Sequence, residues 1–124
     1  MAKKVLVIED DSITRKSLQV ALLDAGFEAD EAPNGKVGLE QALATHPDIV
    51  MVDLVMPEMD GLTMIKELRK DEWGKTAHVV ILTSNQSAET VNKALELGVF
   101  TYFSKDVMDP SEVVMQVAQT IGAN

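Results

Sequence analysis

Four short apolar runs constrain the fold of this chain more than anything else in it. They are Val5-Leu6-Val7-Ile8, Ile49-Val50-Met51-Val52, Val79-Val80-Ile81-Leu82 and Val99-Phe100-Thr101-Tyr102-Phe103. Each is rich in β-branched residues and lacks polar alternation. A strand with one wet face alternates, whereas a continuous run suits a strand covered on both faces, as in a parallel sheet. A weaker strand is predicted from Phe27 to Ala32, and its acids mark it as an edge.

Helical spacing fills the gaps between the runs. Leu18, Ala21, Leu22 and Ala25 share a face, as do Leu39, Ala42 and Leu43. Leu62, Ile65 and Leu68 do the same, then Val91, Ala94 and Leu95, and last Val114, Val117, Ala118 and Ile121. Ser12, Asn34 and Ser87 are predicted N-caps. Asp109-Pro110-Ser111-Glu112 reads as a cap, a first-turn proline and a reach-back acid. Gly26 and Gly98 stand where a helix end needs a left-handed residue. The strand–helix unit recurs five times. It predicts an α/β fold, a flavodoxin-like doubly wound (βα)5 three-layer sandwich with parallel strand order 2-1-3-4-5. In such a sheet a site forms beyond the carboxyl ends of the strands, where the order switches between strands 1 and 3.

The 124 residues suit a single domain, 1–124, with no linker, repeat or membrane span. A net charge of −9 argues against sequence-independent nucleic-acid binding, which needs a basic face. The chain has no cysteine, hence no disulfide and no thiolate site, which is compatible with a cytoplasmic setting.

The predicted carboxyl edge collects polar residues from four strands. Glu9-Asp10-Asp11 follows the first, Asp53 the third, Thr83-Ser84 the fourth and Lys105 the fifth. Taken singly, each has a plain reading. The acids feed a helix start, Asp53 is a turn residue, Thr83 is a strand-end hydroxyl and Lys105 is a solvated charge. Taken together they converge, since neighbouring strands lie about 4.8 Å apart. Carboxylates that close raise one another's pKa unless a cation sits between them. Oxygen-only ligands with no His or Cys favour a hard ion, and a few carboxylates plus a carbonyl suit Mg²⁺. Asp53 is then the candidate nucleophile for a phosphoryl group, with Lys105 and Mg²⁺ offsetting its charge.

These pieces resemble the receiver domain of bacterial two-component response regulators over essentially the whole chain. The matching residues are Val7-Ile8-Glu9-Asp10-Asp11, Asp53-Leu54-Val55-Met56-Pro57 with Met59-Asp60-Gly61, Thr83-Ser84, and Tyr102 three residues before Lys105. The resemblance implies that Asp53 is the phosphoacceptor. It implies Mg²⁺ ligands at Asp10, Asp53 and the Val55 carbonyl, with Glu9 acting through water. Lys105 and Thr83 would hold phosphoryl oxygens, and Thr83 with Tyr102 would form the switch. The switch surface would be the fourth helix, fifth strand and fifth helix, about Ser87 to Ile121. Pro57 and Gly61 would shape the loop beside Asp53. The donor would be a phosphohistidine on a sensor histidine kinase or a histidine phosphotransfer protein, and the output a downstream protein target. Such a domain is a signalling phosphoacceptor, not an enzyme turning over external substrates.

Two departures from the family pattern matter. Asp106 stands where the family usually has a proline, often cis, and a cis bond to another residue costs about 2.5–4 kcal/mol. Val55, two residues after Asp53, cannot hydrogen-bond an attacking water, although Asn85 can; slow self-dephosphorylation is expected. An excised piece of a longer regulator is the second reading. A Mg²⁺-dependent aspartyl phosphohydrolase would carry an acid at position 55. A flavodoxin-like electron carrier needs a Gly/Ser/Thr-rich phosphate loop where Glu9-Asp10-Asp11 stands. His46 and His78 lack ligand partners at useful spacing. Trp73 reads as a packing residue in a surface loop, Phe27, Phe100 and Phe103 as core or strand residues, and Met56 and Met59 as flanking the pocket.

Overall fold

A computed structural model of the protein describes residues 2–56, 58–84, 87–105 and 109–121. The elements in chain order are β1 (Lys4–Ile8), α1 (Ser12–Asp24), β2 (Glu28–Ala32), α2 (Gly35–Thr45), β3 (Ile49–Asp53) and α3 (Gly61–Leu68). After a 3-10 turn at Gly74–Thr76 come β4 (Val79–Thr83), α4 (Ala88–Glu96), β5 (Thr101–Ser104) and α5 (Pro110–Ile121). The sheet order is β2-β1-β3-β4-β5 and every pairing is parallel, as the alternation of runs and helices requires.

The continuous apolar runs are explained by two cores, one on each face of the sheet. Leu6, Ile8, Val50, Val52 and Ile81 face one way and pack with Ala42, Met64, Ile65, Leu68 and Ala94 from α2, α3 and α4. Their alternates Val5, Val7, Ile49, Met51, Val80 and Leu82 pack with Leu18 and Leu22 of α1 and with Val113 and Val117 of α5. A chain that wraps both faces leaves no room for polar alternation in β1, β3 and β4. β2 lies at the edge and keeps Glu28 and Asp30 exposed, in line with its acids.

The local signals hold at several caps. Asn34 accepts from the Val37 N–H and Ser87 from the Thr90 N–H. Gly26 (φ 94°) and Gly98 (φ 77°) take the left-handed conformation just past α1 and α4. The cap of α1 is a correction. Asp11 occupies it, accepting from the Thr14 N–H, and Ser12 is the first helical residue. A carboxylate there also faces the positive end of the helix, which a hydroxyl matches less well.

The fifth run is a second correction. β5 spans Thr101–Ser104 and not Val99–Phe103. The Val99 N–H is taken by the Ala94 carbonyl that closes α4, at 2.9 Å, so the residue cannot enter the ladder. Phe100 is 76% exposed and belongs neither to the core nor to a strand. Phe27 is buried, but its N–H closes α1 on Leu22, and β2 starts one residue later. On α5 the buried residues are Val113 and Val117; Val114, Ala118 and Ile121 pack at the margin. Among the described residues no helix is long and apolar enough to cross a membrane.

Candidate functional site

The register of the sheet fixes where the carboxyl-edge residues arrive. Ile8 pairs with Val52, so the next residues, Glu9 and Asp53, leave adjacent strand ends side by side. Leu82 pairs with Asp53, which places Thr83 one step further out on β4. Thr83 pairs with Ser104, and the Lys105 N–H donates to the Thr83 carbonyl at 3.0 Å. Backbone pairing thus delivers all four positions to one edge before any side chain contributes.

The side chains then meet. One carboxylate oxygen from each of Glu9, Asp10 and Asp53 lies within 4.8 Å of the others. The Lys105 ammonium donates to Glu9 Oε1 at 2.7 Å and to Asp53 Oδ2 at 3.1 Å. Asp53 is 3% exposed and Glu9 fully buried, while Asp10 faces solvent. Burial pushes the Glu9 carboxyl up to about 7, against the pull of Lys105, and the Asp53 charge adds to the rise. Burial alone would lower the Lys105 ammonium, but its bonds to Glu9 and Asp53 outweigh that and raise it. One lysine therefore serves two buried acids, with a third at the rim.

Glu9 Oε2 is buried and has no hydrogen-bond partner among the described residues. An unpaired buried carboxylate oxygen is costly. The carboxylate oxygens of Glu9, Asp10 and Asp53, with the Lys105 ammonium bonded to Glu9 and Asp53, form a donor set that fits a divalent hard cation.

Supporting bonds hold this geometry. The Val55 N–H donates to Asp53 Oδ1 at 3.2 Å, and the Asp11 N–H to Glu9 Oε1 at 3.3 Å. Arg15 reaches from α1 to the Glu9 carbonyl at 2.8 Å and pairs with Glu31 of β2 at 3.3 Å. Lys16 also pairs with Glu31 at 2.8 Å. The hydrogen bond from Lys16 and then that from Arg15 hold the Glu31 carboxyl below its ordinary value. Arg15 and Glu31 escaped the sequence reading. A helix residue and an edge-strand residue 16 positions apart share no period, and only the β1–β2 pairing brings them together.

The remaining candidates are also placed. Thr83 is 2% exposed, and Tyr102 is exposed on β5. Both line a cavity of about 10 Å³ walled also by Leu54, Ile81, Val91 and Ala94. Val55 is 68% exposed. Met56 and Met59 pack partly buried against the core on the α2–α3–α4 side of the sheet. His46 stacks on Trp73 with ring centroids 4.4 Å apart at the opposite, amino end of the sheet, where α2 and α3 finish. Pro57, Asn85 and Asp106 lie outside the described residues.

The response regulator receiver domain family matches residues 5–118. The chain belongs to this family. Among relatives of this receiver domain, the chemotaxis protein CheY of Halobacterium salinarum is 38% identical over 90% of this chain and 91% of its own length. The regulatory protein AtoC of Escherichia coli is 34% identical over 93% of this chain, which spans only 25% of AtoC. Among solved structures, chemotaxis protein CheY4 of Vibrio cholerae superposes with a TM-score of 0.90 at 25% identity, covering 97% of this chain and 99% of that one. The receiver domain thus occurs in relatives of about its own length and in much longer regulators. By family it is a two-component signalling module and not a classical enzyme.

Proposed function

We propose that residues 1–124 act as one receiver domain in the cytoplasm, taking a phosphoryl group from a phosphohistidine onto Asp53 with Mg²⁺. The donor is a sensor histidine kinase or a histidine phosphotransfer protein, and the output is binding to a downstream protein rather than to nucleic acid or membrane. The observation that carries this reading is Lys105 bridging Glu9 and Asp53 beside a buried, unpartnered Glu9 oxygen.

In this reading Asp10, Asp53 and the Val55 carbonyl ligate the ion, and Glu9 holds it through water. When bound, Mg²⁺ offsets charge on the phosphoryl oxygens and on the acids. A carboxylate oxygen of Asp53 attacks phosphorus. The phosphorus–nitrogen bond breaks, and its electron pair stays on the imidazole, which is protonated at its other nitrogen and leaves neutral. The aspartyl phosphate carries about two negative charges where the carboxylate carried one. Lys105, already 3.1 Å from Asp53, is in reach to follow the new charge, and the Thr83 hydroxyl donates to a second phosphoryl oxygen.

Drawing Thr83 toward the phosphoryl group alters the small cavity it shares with Tyr102. An inward turn of Tyr102 then changes the surface of α4, β5 and α5. The donor's approach is supported by Ile13 of α1, 80% exposed, in a groove that also includes Lys105 and Pro110. Val55, exposed and apolar, supplies no acid for hydrolysis, which favours slow self-dephosphorylation over enzyme turnover.

Intact-mass spectrometry after incubation with acetyl phosphate, then with a phosphohistidine donor, tests this reading. The expected result is a gain of one phosphoryl group that requires Mg²⁺ and is lost in Asp53→Asn. No gain from either donor, or an equal gain in the variant, refutes it.

A further inference from the structure

We propose that Gly35, in the first turn of α2, is a positioning residue for the loop that follows Asp53. The inference rests on the functional reading above and extends it to a helix that contributes no candidate ligand. Two glycines press on this loop at different points of its backbone. At Gly61 a Cβ would overlap the carbonyl oxygen of Asp53 itself and lie 2.8 Å from Leu54 Cα. At Gly35 a Cβ would overlap the Met59 carbonyl oxygen, with the Met59 carbonyl carbon at 3.0 Å and Cβ at 3.2 Å. Both obstacles are backbone, so neither can swing aside as a side chain would.

A second observation lies between the two contacts. Glu58 has φ 71°, a left-handed conformation that a side-chain-bearing residue adopts at a cost. Such strain persists where the surroundings over-determine it. The Gly61 N–H bonded to the Leu54 carbonyl at 3.0 Å ties the two ends of the loop together. The α2 turn pressed on Met59 bears on the loop between those ends. That turn is itself held by Asn34, whose side chain accepts from the Val37 N–H at 2.9 Å. The loop carries Val55, whose carbonyl is a proposed ligand and whose N–H holds Asp53 Oδ1. A methyl group at position 35 must push α2 or the loop away, and the displacement reaches Val55 and Asp53.

Gly38 supplies an internal control. It lies one turn along the same helix, where a Cβ would overlap Ile8 Cδ1, the flexible end of a core side chain that can turn aside, and meets no backbone of the loop. Gly38→Ala disturbs packing between α2 and the sheet; Gly35→Ala disturbs the loop.

The test measures Mg²⁺ affinity by calorimetry, thermal stability, and phosphorylation rate with acetyl phosphate in wild type, Gly35→Ala and Gly38→Ala. The expectation is about ten-fold weaker Mg²⁺ binding in Gly35→Ala, the scale seen when groups that orient metal ligands are lost. Gly38→Ala should lower the melting temperature and keep wild-type Mg²⁺ affinity. Wild-type affinity in folded Gly35→Ala overturns the inference, as does equal weakening in Gly38→Ala. Wild-type protein that binds no Mg²⁺ refutes the functional reading and the inference with it. If Gly35→Ala does not fold, a Mg²⁺ titration of ¹⁵N-labelled wild type decides. The amides of Asn34–Val37 are expected to shift together with those of Val55 and Glu58–Asp60, and silence at Asn34–Val37 overturns the inference.

Discussion

β3 and β5 are two strands of one sheet, yet they are held very differently. All five residues of β3 are buried, with core on both faces, and Asp53 stands at its end. β5 has no fully buried residue, lies at the sheet edge and is preceded by an exposed Phe100. The proposed phosphoacceptor thus stands on a fully buried strand, and the proposed switch residue Tyr102 on an edge strand with no buried residue. Close-packed interiors transmit displacement and resist deformation, whereas segments with few buried contacts rearrange at low cost. A phosphoryl group added to a fixed floor leaves the floor in place and redirects the flank.

The comparison breaks if both strands prove equally important to stability. Met51→Ala in β3 removes a fully buried side chain and is expected to cost about 2–5 kcal/mol by urea denaturation. Phe100→Ala, at 76% exposure, is expected to stay within about 0.5 kcal/mol of wild type in the same assay. Comparable losses would mean that the β5 flank is tied into the core no less firmly than β3. Phe100 has a second use as a probe, since a change in partner binding without a change in stability would place it on the output surface.

The same contrast explains what the sequence disclosed. β1, β3 and β4 have both faces covered, and runs such as Ile49–Val52 record that burial directly. The strand order is the commonest one for five alternating strand–helix units, and the convergence of Glu9, Asp10, Asp53, Thr83 and Lys105 at one edge follows from reading the strand ends in that order. β5 was misplaced because its composition imitates a buried strand. Val99 is buried by the α4 closure and Phe100 by nothing, so apolarity there carried no register. The clamp by Gly35 was invisible for another reason. It depends on a helix turn meeting a loop backbone more than 20 residues later, a contact that no periodicity encodes. The Arg15–Glu31 brace was hidden in the same way.

The two helix caps carry the smallest expected effect, and they sharpen the comparison further. Asp11 caps α1, whose Leu18 and Leu22 are buried under the sheet, while Asp109 precedes α5 on the switch side. The side-chain hydrogen bond from Thr14, then the backbone one, holds the Asp11 carboxyl below its ordinary 3.8. The Ser111 backbone and then its hydroxyl do the same for Asp109. A carboxyl lowered by folding stabilises the fold above its unfolded value, and that contribution disappears as pH falls through the folded value. Both caps therefore act in full at neutral pH and fail only below about pH 4. Asp11→Ala and Asp109→Ala should each lower the melting temperature slightly at pH 7, with the difference from wild type shrinking as the pH falls below the ordinary aspartate range. The location of the damage distinguishes them. In hydrogen exchange at pH 7, fraying in Asp109→Ala should remain on the first turn of α5, because Val113 and Val117 anchor the rest of the helix in the core. Fraying in Asp11→Ala should reach Glu9, since the Asp11 N–H donates to Glu9 Oε1 and Arg15 of the same helix holds the Glu9 carbonyl. If Asp109→Ala instead exposed β1 and β3 amides, floor and flank would be one cooperative unit, and the division of labour between β3 and β5 would fall.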